Sequence, residues 1–120
     1  MVVDDDFDNA TLVKITLQRS GFKNVIAFTK PSLALENFRI NYKNYGLVIS
    51  DIRMPEMNGF EFARSVSRIK PKIRVLLMTA FDYDSTLLNM NKKYNNIGGI
   101  IQKPVSSAKL ARMTMAQINK

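Results

Sequence analysis

Residues 48–59 read VISDIRMPEMNG and join an apolar run to a tight loop. The run begins at Leu47 and is continuous rather than alternating, which is typical of a strand buried on both faces. Asp51 follows as a carboxylate at the end of that strand. Pro55 and Gly59 predict a sharp loop after it, in which a backbone carbonyl could face a metal ion.

Four further apolar runs predict four more buried strands, at residues 2–3, 25–28, 73–79 and 99–102. Segments of helical period separate them. Residues 9–20 predict a first helix, with Asp8 as its N-cap and Gly21 just past its end. Pro31 suits the first turn of a second helix over 31–43. Three more helices are predicted at about 59–69, at about 84–94, and from Ser106 or Ser107 to about Ile118.

In two of the predicted helices, apolar residues recur at a spacing that places them on one face. Those of the second are Leu33, Ala34, Phe38 and Ile40, and those of the third are Phe62, Ala63, Val66 and Ile69. Five strand–helix units in 120 residues predict one α/β domain over 1–120, with a doubly wound parallel sheet and right-handed crossovers.

Composition excludes several classes of protein. The chain is 46% hydrophobic and 23% charged, the balance of a globular protein rather than a disordered one. It contains no Cys and no His, which excludes a disulfide framework, thiolate or imidazole metal ligands and a phosphohistidine carrier. No apolar run is long enough for a membrane span, and no signal peptide opens the chain. A cytoplasmic protein without membrane contact is expected.

The two signs of charge are distributed differently along the sequence. Half of the ten acids are Asp4, Asp5, Asp6, Asp8 and Asp51. The 18 cations behind the net charge of +8 are spread over the whole chain, with one dense stretch at residues 64–74. That stretch is consistent with a solvated helix end and loop, or with a site for an acidic partner.

Four of the five predicted strands end in side chains that form a coherent chemical set, whereas the second ends in Phe28–Thr29 with no charged group. Ligands of open α/β sheets bind outside the carboxyl ends of the strands, and the residues at those ends are Asp4 with Asp5, then Asp51, Thr79 and Lys103. Carboxylates of this kind suit a hard cation such as Mg²⁺. Asp51 is the best nucleophile for carrying a phosphoryl group, with Lys103 and the Thr79 hydroxyl to stabilise its charge.

Four motifs occur in order: VVDDD at 2–6, VISDIRMPEMNG at 48–59, LLMTA at 76–80 and QKP at 102–104. Over essentially the whole chain this pattern resembles a response-regulator receiver domain of two-component signalling (a CheY-like, flavodoxin-like fold). The resemblance implies a five-stranded sheet in the order 2-1-3-4-5 with five helices. It implies a phosphoacceptor that promotes its own phosphorylation and dephosphorylation, rather than a turnover enzyme.

The resemblance also implies roles for residues. Asp51 would accept a phosphoryl group from a phosphohistidine of a sensor histidine kinase. Mg²⁺ would be held by Asp5, Asp51 and the Arg53 main-chain carbonyl, and by Asp4 largely through water. Thr79 and Lys103 would contact the phosphoryl oxygens, with a cis peptide between Lys103 and Pro104. The face of the fourth helix, fifth strand and fifth helix would then favour a partner or a second copy of the chain, and nucleic acid would be reached only through an output domain.

The sequence departs from the family pattern at two places. Ile100 stands where members usually carry an aromatic residue that couples the site to a distant face. The segment 91–99, NKKYNNIGG, replaces a small-residue turn and predicts a looser or displaced fourth helix. Arg53 and Phe81, close to Asp51 and Thr79 in sequence, predict obstruction of an attacking water and a long-lived phosphoryl group.

Two other functions remain open from the residues. One is a Mg²⁺-dependent phosphohydrolase with an Asp nucleophile, although Arg53 stands where such enzymes place a second acid. The other is a basic binding module for DNA or an acidic protein, with vestigial phosphorylation.

Overall fold

The computed structural model describes residues 1–80, 89 and 94–119. Its strands are β1 (Val2–Val3), β2 (Ala27–Phe28), β3 (Leu47–Asp51), β4 (Arg74–Thr79) and β5 (Ile97–Gln102). Its helices are α1 (Phe7–Arg19), α2 (Pro31–Asn41), α3 (Gly59–Ile69) and α4 (Ser107–Ile118), with a 3-10 turn at Tyr42–Asn44. The helix predicted at about 84–94, and the looseness expected for it, fall outside the described residues except at Asn89 and Tyr94. Helix α4 is the fifth predicted helix.

All five strands are parallel and lie in the order β2-β1-β3-β4-β5. The predicted fold is therefore confirmed, with strand bounds that differ from the predicted ones by no more than two residues. Neighbouring strands end level with each other, since Asp51 pairs with Met78 and Thr79 pairs with Gln102. The register brings the carboxyl ends of β3, β4 and β5 to one edge.

Both faces of the sheet are covered. Leu77 packs on one face with Phe38 of α2 and Phe62 of α3. Leu76 packs on the other face with Leu17 of α1 and Leu110 of α4. Successive residues of a strand point to opposite faces, so a strand buried on both faces must be apolar throughout. This explains the continuous apolar runs.

Helix α1 begins earlier than predicted. Its N-cap is Asp6, whose carboxylate accepts hydrogen bonds from the backbone N–H groups of Asp8 and Asn9, so the assignment of Asp8 as N-cap is wrong. Only three residues separate β1 from the helix, and Asp6 is the last of them with extended backbone angles. Gly21, with φ of 102°, follows the C-cap Ser20, as predicted.

Helices α2 and α3 differ in how well their apolar positions predict burial. In α3 the residues Phe62, Ala63 and Val66 are fully buried. Of the four apolar positions predicted in α2, Ala34 and Phe38 are buried, whereas Leu33 and Ile40 are exposed. Within the described part of the chain, no helix has the length and apolar character needed to cross a membrane.

Candidate functional site

Three carboxylates meet at the carboxyl edge of the sheet. Asp4 and Asp5 follow β1, and Asp51 ends β3, which lies beside β1. One oxygen from each of the three lies within 4.8 Å of the others. Asp4 is buried, Asp51 is half-buried and Asp5 is exposed, so the group opens to solvent on the Asp5 side.

Lys103 joins two of these carboxylates. Its Nζ donates to Asp4 Oδ2 at 2.9 Å and lies 3.3 Å from Asp51 Oδ1. These are the ion pairs among the described residues. The backbone N–H of Lys103 donates to the carbonyl of Thr79 at 2.7 Å, and its peptide bond to Pro104 is cis, as the sequence predicts.

The remaining acids of the N-terminal run have separate structural roles. Asp4 Oδ1 accepts the backbone N–H of Asp6 at 3.0 Å, so both oxygens of Asp4 are engaged. Asp6 caps α1. Asp8 lies exposed in the first turn of α1, where its charge complements the positive end of the helix dipole.

The loop after Asp51 is held close to its strand. Gly59 donates its N–H to the carbonyl of Ile52 at 2.8 Å, and a Cβ on Gly59 would lie 2.5 Å from the carbonyl oxygen of Asp51. Asn58 and Glu61 form a reciprocal capping box that begins α3 at this point. The glycine therefore permits helix α3 to start directly against the end of β3.

Burial and charge shift the titration of the two central groups. Burial raises the pKa of Asp51, the charges of Asp4 and Asp5 raise it further, and the net shift is upward although Lys103 opposes it. Burial by itself would lower the pKa of Lys103, but its hydrogen bond to Asp4 and the charges of Asp4 and Asp51 raise it. Lys103 therefore holds its proton firmly as the counter-cation of the site.

The structure describes three of the other residues that the sequence singled out, Thr79, Arg53 and Ile100. Thr79 is buried at the end of β4, between the strands that end in Asp51 and Gln102. Arg53 is exposed, two residues beyond Asp51. Phe81 lies outside the described residues. Ile100 is half-buried against the hydrophobic cluster on the α2 and α3 side of the sheet.

A cavity and a groove next to the site were not predicted from the sequence. A cavity of about 290 Å³ beside Asp5 is lined by Thr29, Lys30, Pro31, Pro55 and Glu56. A groove between α1 and α4 reaches Lys103 and Pro104. No residue at the end of β2 was predicted to belong to the site, and the parallel pairing of β2 with β1 brings Thr29 and Lys30 next to Asp5.

The family model "Response regulator receiver domain" matches residues 1–115. The chain belongs to this family. Receiver domains are the phosphoacceptor switches of two-component systems, and membership favours the switch over the phosphohydrolase considered from the sequence. Receiver domains bind Mg²⁺ at an acidic pocket, and this chain has a cluster of Asp residues at the carboxyl edge of its sheet.

Individual relatives agree with the family assignment. The chain is 35% identical over 92 residues to the transcriptional regulatory protein ZraR of Klebsiella oxytoca, covering 77% of this chain and 20% of ZraR. It is 28% identical over 104 residues to the response regulator receiver protein CpdR of Brucella abortus, covering 87% of this chain and 82% of CpdR. The chain thus spans about a fifth of the length of the ZraR relatives that it matches.

A solved structure supports the same assignment. The crystal structure of a response regulator receiver domain protein from Clostridium thermocellum superposes with a TM-score of 0.86 at 26% identity. The match covers 98% of this chain and 91% of that one.

Proposed function

We propose that Asp51 is the phosphoacceptor of this receiver domain. The observation that carries the proposal is the geometry around its carboxylate, which has Lys103 at 3.3 Å and the carboxylates of Asp4 and Asp5 beside it. Asp51 ends a central strand and is half-buried, whereas Asp5 is exposed and both oxygens of Asp4 are engaged. Asp51 is therefore the carboxylate best placed to act as a nucleophile.

The proposed phosphodonor is a phosphohistidine of a sensor histidine kinase. A carboxylate oxygen of Asp51 would attack the phosphorus atom and form a P–O bond. The P–N bond to the histidine would break, with its electron pair passing to the imidazole nitrogen, which then takes up a proton. These 120 residues contain no histidine, so the phosphohistidine would be supplied from outside them.

The three carboxylates fit a divalent cation. Asp4, Asp5 and Asp51 offer hard oxygen ligands within 4.8 Å of one another, which suits Mg²⁺. We propose that Asp5, Asp51 and the Arg53 main-chain carbonyl hold Mg²⁺, with Asp4 acting largely through water. When bound, the ion would neutralise charge on the transferring phosphoryl group. Lys103 pairs with Asp4 and Asp51, so its ammonium group lies where it would also neutralise charge on a phosphoryl group carried by Asp51.

Lys103 and Thr79 would stabilise the phosphorylated state. The ammonium group of Lys103 would pair with a phosphoryl oxygen, and the hydroxyl of Thr79 would donate a hydrogen bond to another. Support comes from their position, since Thr79 ends β4 and its carbonyl accepts the N–H of Lys103. The two residues therefore lie together at one edge of the sheet.

The output of the switch is a change in what binds to one face of the domain. We propose that residues 1–120 act as one receiver domain in the cytoplasm. Phosphorylation would shift an equilibrium between two conformers and change binding of a partner, or of a second copy, at the surface of β5, α4 and the segment between β4 and β5. Because Ile100 replaces an aromatic residue, coupling to that surface would not use a rotating ring.

The test is intact mass spectrometry after exposure to a small-molecule phosphodonor, with and without Mg²⁺. We expect a gain of one phosphoryl group that requires Mg²⁺ and is lost in Asp51→Asn. Glu36→Gln, which removes an exposed carboxylate from the middle of α2, is the matched control and should still be phosphorylated.

Two results would count against the proposal. Phosphorylation of Asp51→Asn to the level of the unmodified chain would place the acceptor elsewhere. Failure of both phosphoryl transfer and Mg²⁺ binding, the latter followed by titration, would show that the carboxylates serve another purpose.

A further inference from the structure

A second charged surface lies at the amino edge of the sheet, opposite the carboxylates. Its cations stand in the last turns of helices and in the connections that lead into β2, β3 and β4. We call it the basic edge and define it by six exposed residues: Arg19, Lys23, Arg39, Lys43, Arg68 and Lys72. These positions are scattered over 54 residues of sequence, and the parallel topology gathers them.

The basic edge contains no acid among the described residues. Most of the described acids lie at the opposite edge, at Asp4, Asp5, Asp6, Asp8, Asp51, Glu56 and Glu61, and Glu36 lies midway along α2. The ion pairs of the described chain both involve Lys103, so none of the six cations has a described carboxylate within ion-pair distance. Their charges are therefore available to an external anion.

Helix dipoles account for only part of this surface. Arg19, Arg39 and Arg68 stand in the last turns of α1, α2 and α3, where a cation complements the negative end of the helix. Lys23 and Lys72 lie in connections outside the α-helices, and Lys43 lies in the 3-10 turn. Lys23 and Lys72 have no such explanation, whereas Lys43 stands in the last turn of the 3-10 segment and its Nζ lies 6.0 Å from the centre of the Tyr42 ring.

We propose that the basic edge binds the phosphate backbone of double-stranded DNA without sequence preference. A net charge of +8 opposes stacking of a second copy on this surface and favours a polyanion. The cations come from separate connections on both faces of the sheet, which suits a line of phosphates rather than one small anion. Helix α1 lies on one face, and α2 and α3 lie on the other.

The surface chemistry favours a duplex over single strands. Single-stranded nucleic acid is bound by stacking bases on exposed aromatic side chains, and the aromatic residues described near this edge, Phe22, Tyr42 and Tyr45, are half-buried or buried. Duplex RNA is recognised through 2′-hydroxyl contacts across its minor groove. The connections at this edge are short, with four residues between α3 and β4, and do not offer an element for that purpose.

The proposal is tested by fluorescence anisotropy with a short random-sequence DNA duplex, over about 50 to 200 mM salt. Contact by all six cations predicts a slope of about −5 for the logarithm of affinity against the logarithm of salt concentration. The variant K23Q/K43Q/K72Q should reduce this slope to about −3 and weaken binding by about tenfold or more at low salt.

The matched control is K14Q/K109Q/R112Q, which removes the same charge from α1 and from the first half of α4. For this control, the slope of the logarithm of affinity against the logarithm of salt concentration should be no smaller in magnitude than that of the unmodified chain. Asp51→Asn should bind DNA like the unmodified chain, which separates this proposal from the phosphoacceptor proposal. Circular dichroism establishes that each variant is folded before its binding is compared.

Four outcomes would overturn the proposal. One is the absence of salt-dependent DNA binding. Another is an equal loss in the control variant, which would assign binding to net charge rather than to the basic edge. Tighter binding of a duplex RNA of the same length would identify RNA as the ligand. Tighter binding of polyglutamate than of DNA would identify an acidic protein partner.

Discussion

The Asp51 carboxylate is held in an environment that disfavours its charge. Burial and the neighbouring Asp4 and Asp5 raise its pKa more than Lys103 lowers it. Lys103 is the compensating group, and its own pKa is raised by the carboxylates it contacts. The site therefore depends on one cation, Lys103 directly after β5, to hold together Asp4 directly after β1 and Asp51 at the end of β3.

Asp51→Asn should stabilise the fold at neutral pH. Because the folded pKa of Asp51 lies above its unfolded value, the native state binds the extra proton, and stability falls as pH rises through the interval between the two values. Above that interval the loss of folding stability caused by the ionised Asp51 carboxylate is constant. Asparagine removes this loss because its side chain carries no charge. Thermal melts at neutral and acidic pH check this: the gain in melting temperature should shrink at low pH.

The control for Asp51→Asn is Glu36→Gln, an exposed helical acid that should change stability by less than about 0.5 kcal/mol. A lower melting temperature for Asp51→Asn at neutral pH would contradict the raised pKa of Asp51.

Lys103→Met should destabilise the domain when Mg²⁺ is absent. Its removal leaves the buried Asp4 oxygen and Asp51 without their cation, at a cost of about 1–3 kcal/mol. Added Mg²⁺ should restore more stability to this variant than it adds to the unmodified chain. Urea denaturation with and without Mg²⁺ measures both effects, and Lys109→Met, exposed on α4, is the control. Equal stabilisation of Lys103→Met and Lys109→Met by Mg²⁺ would argue against binding of Lys103 and Mg²⁺ to the same carboxylates.

Helix α3 is the element that fixes the loop behind Asp51. Its capping box and the close approach of Gly59 to the Asp51 carbonyl allow the helix to start against the strand. The motif MPEMNG can therefore be explained physically: Glu56 has a positive φ of 72° at the turn, Asn58 caps, and Gly59 leaves room for the backbone.

Gly59→Ala should destabilise the domain by about 1–3 kcal/mol and slow phosphorylation of Asp51. The added Cβ would meet the backbone at 2.5 Å from the Asp51 carbonyl oxygen and 3.0 Å from Ile52 Cα, so the loop has to shift. Gly46→Ala is the matched control, because a Cβ there meets nothing within 4 Å. Chemical denaturation and the phosphorylation rate measure the effect, and equal tolerance of both substitutions would disprove the steric account.

At the scale of the whole molecule, charge is separated between the two edges of the sheet. The carboxylates gather at the carboxyl edge, where they would attract a divalent cation. The cations of the basic edge, which have no described carboxylate within ion-pair distance, gather at the amino edge. Phosphorylation and polyanion binding would therefore act at opposite ends of a domain that measures 34 × 32 × 29 Å.

Binding of Mg²⁺ should raise the stability of the whole domain. A ligand that binds only the folded state adds about 2.7 kcal/mol at 100 times its Kd. Asp5→Asn should reduce the effect, because Asp5 is an exposed member of the carboxylate group. Thermal melts over a Mg²⁺ series measure it, with Asp8→Asn as the control outside the group. An unchanged response in Asp5→Asn would remove Asp5 from the proposed ligands.

Much of the fold and of the site could be predicted from local sequence. Strands buried on both faces must be apolar throughout, so their ends stand out wherever a polar residue follows, as at Asp4, Asp51, Thr79 and Lys103. Parallel strands end at one edge, so these residues had to converge. The boundary of α1 was predicted less well, because Asp6 and Asp8 are equally good caps in isolation and only the distance from β1 selects Asp6.

The remaining features depend on contacts between residues far apart in sequence. Lys103 lies 99 residues from Asp4, and its hydrogen bond to that carboxylate follows from the pairing of β1, β3, β4 and β5. The six cations of the basic edge look diffuse along the chain, because sequence shows their spacing and not their direction. Local patterning is enough to specify strands, helices and the chemistry at each strand end, since these depend on neighbouring residues. The pairing of Lys103 with its carboxylates and the separation of charge require the folded sheet, because electrostatic interactions depend on distance in space.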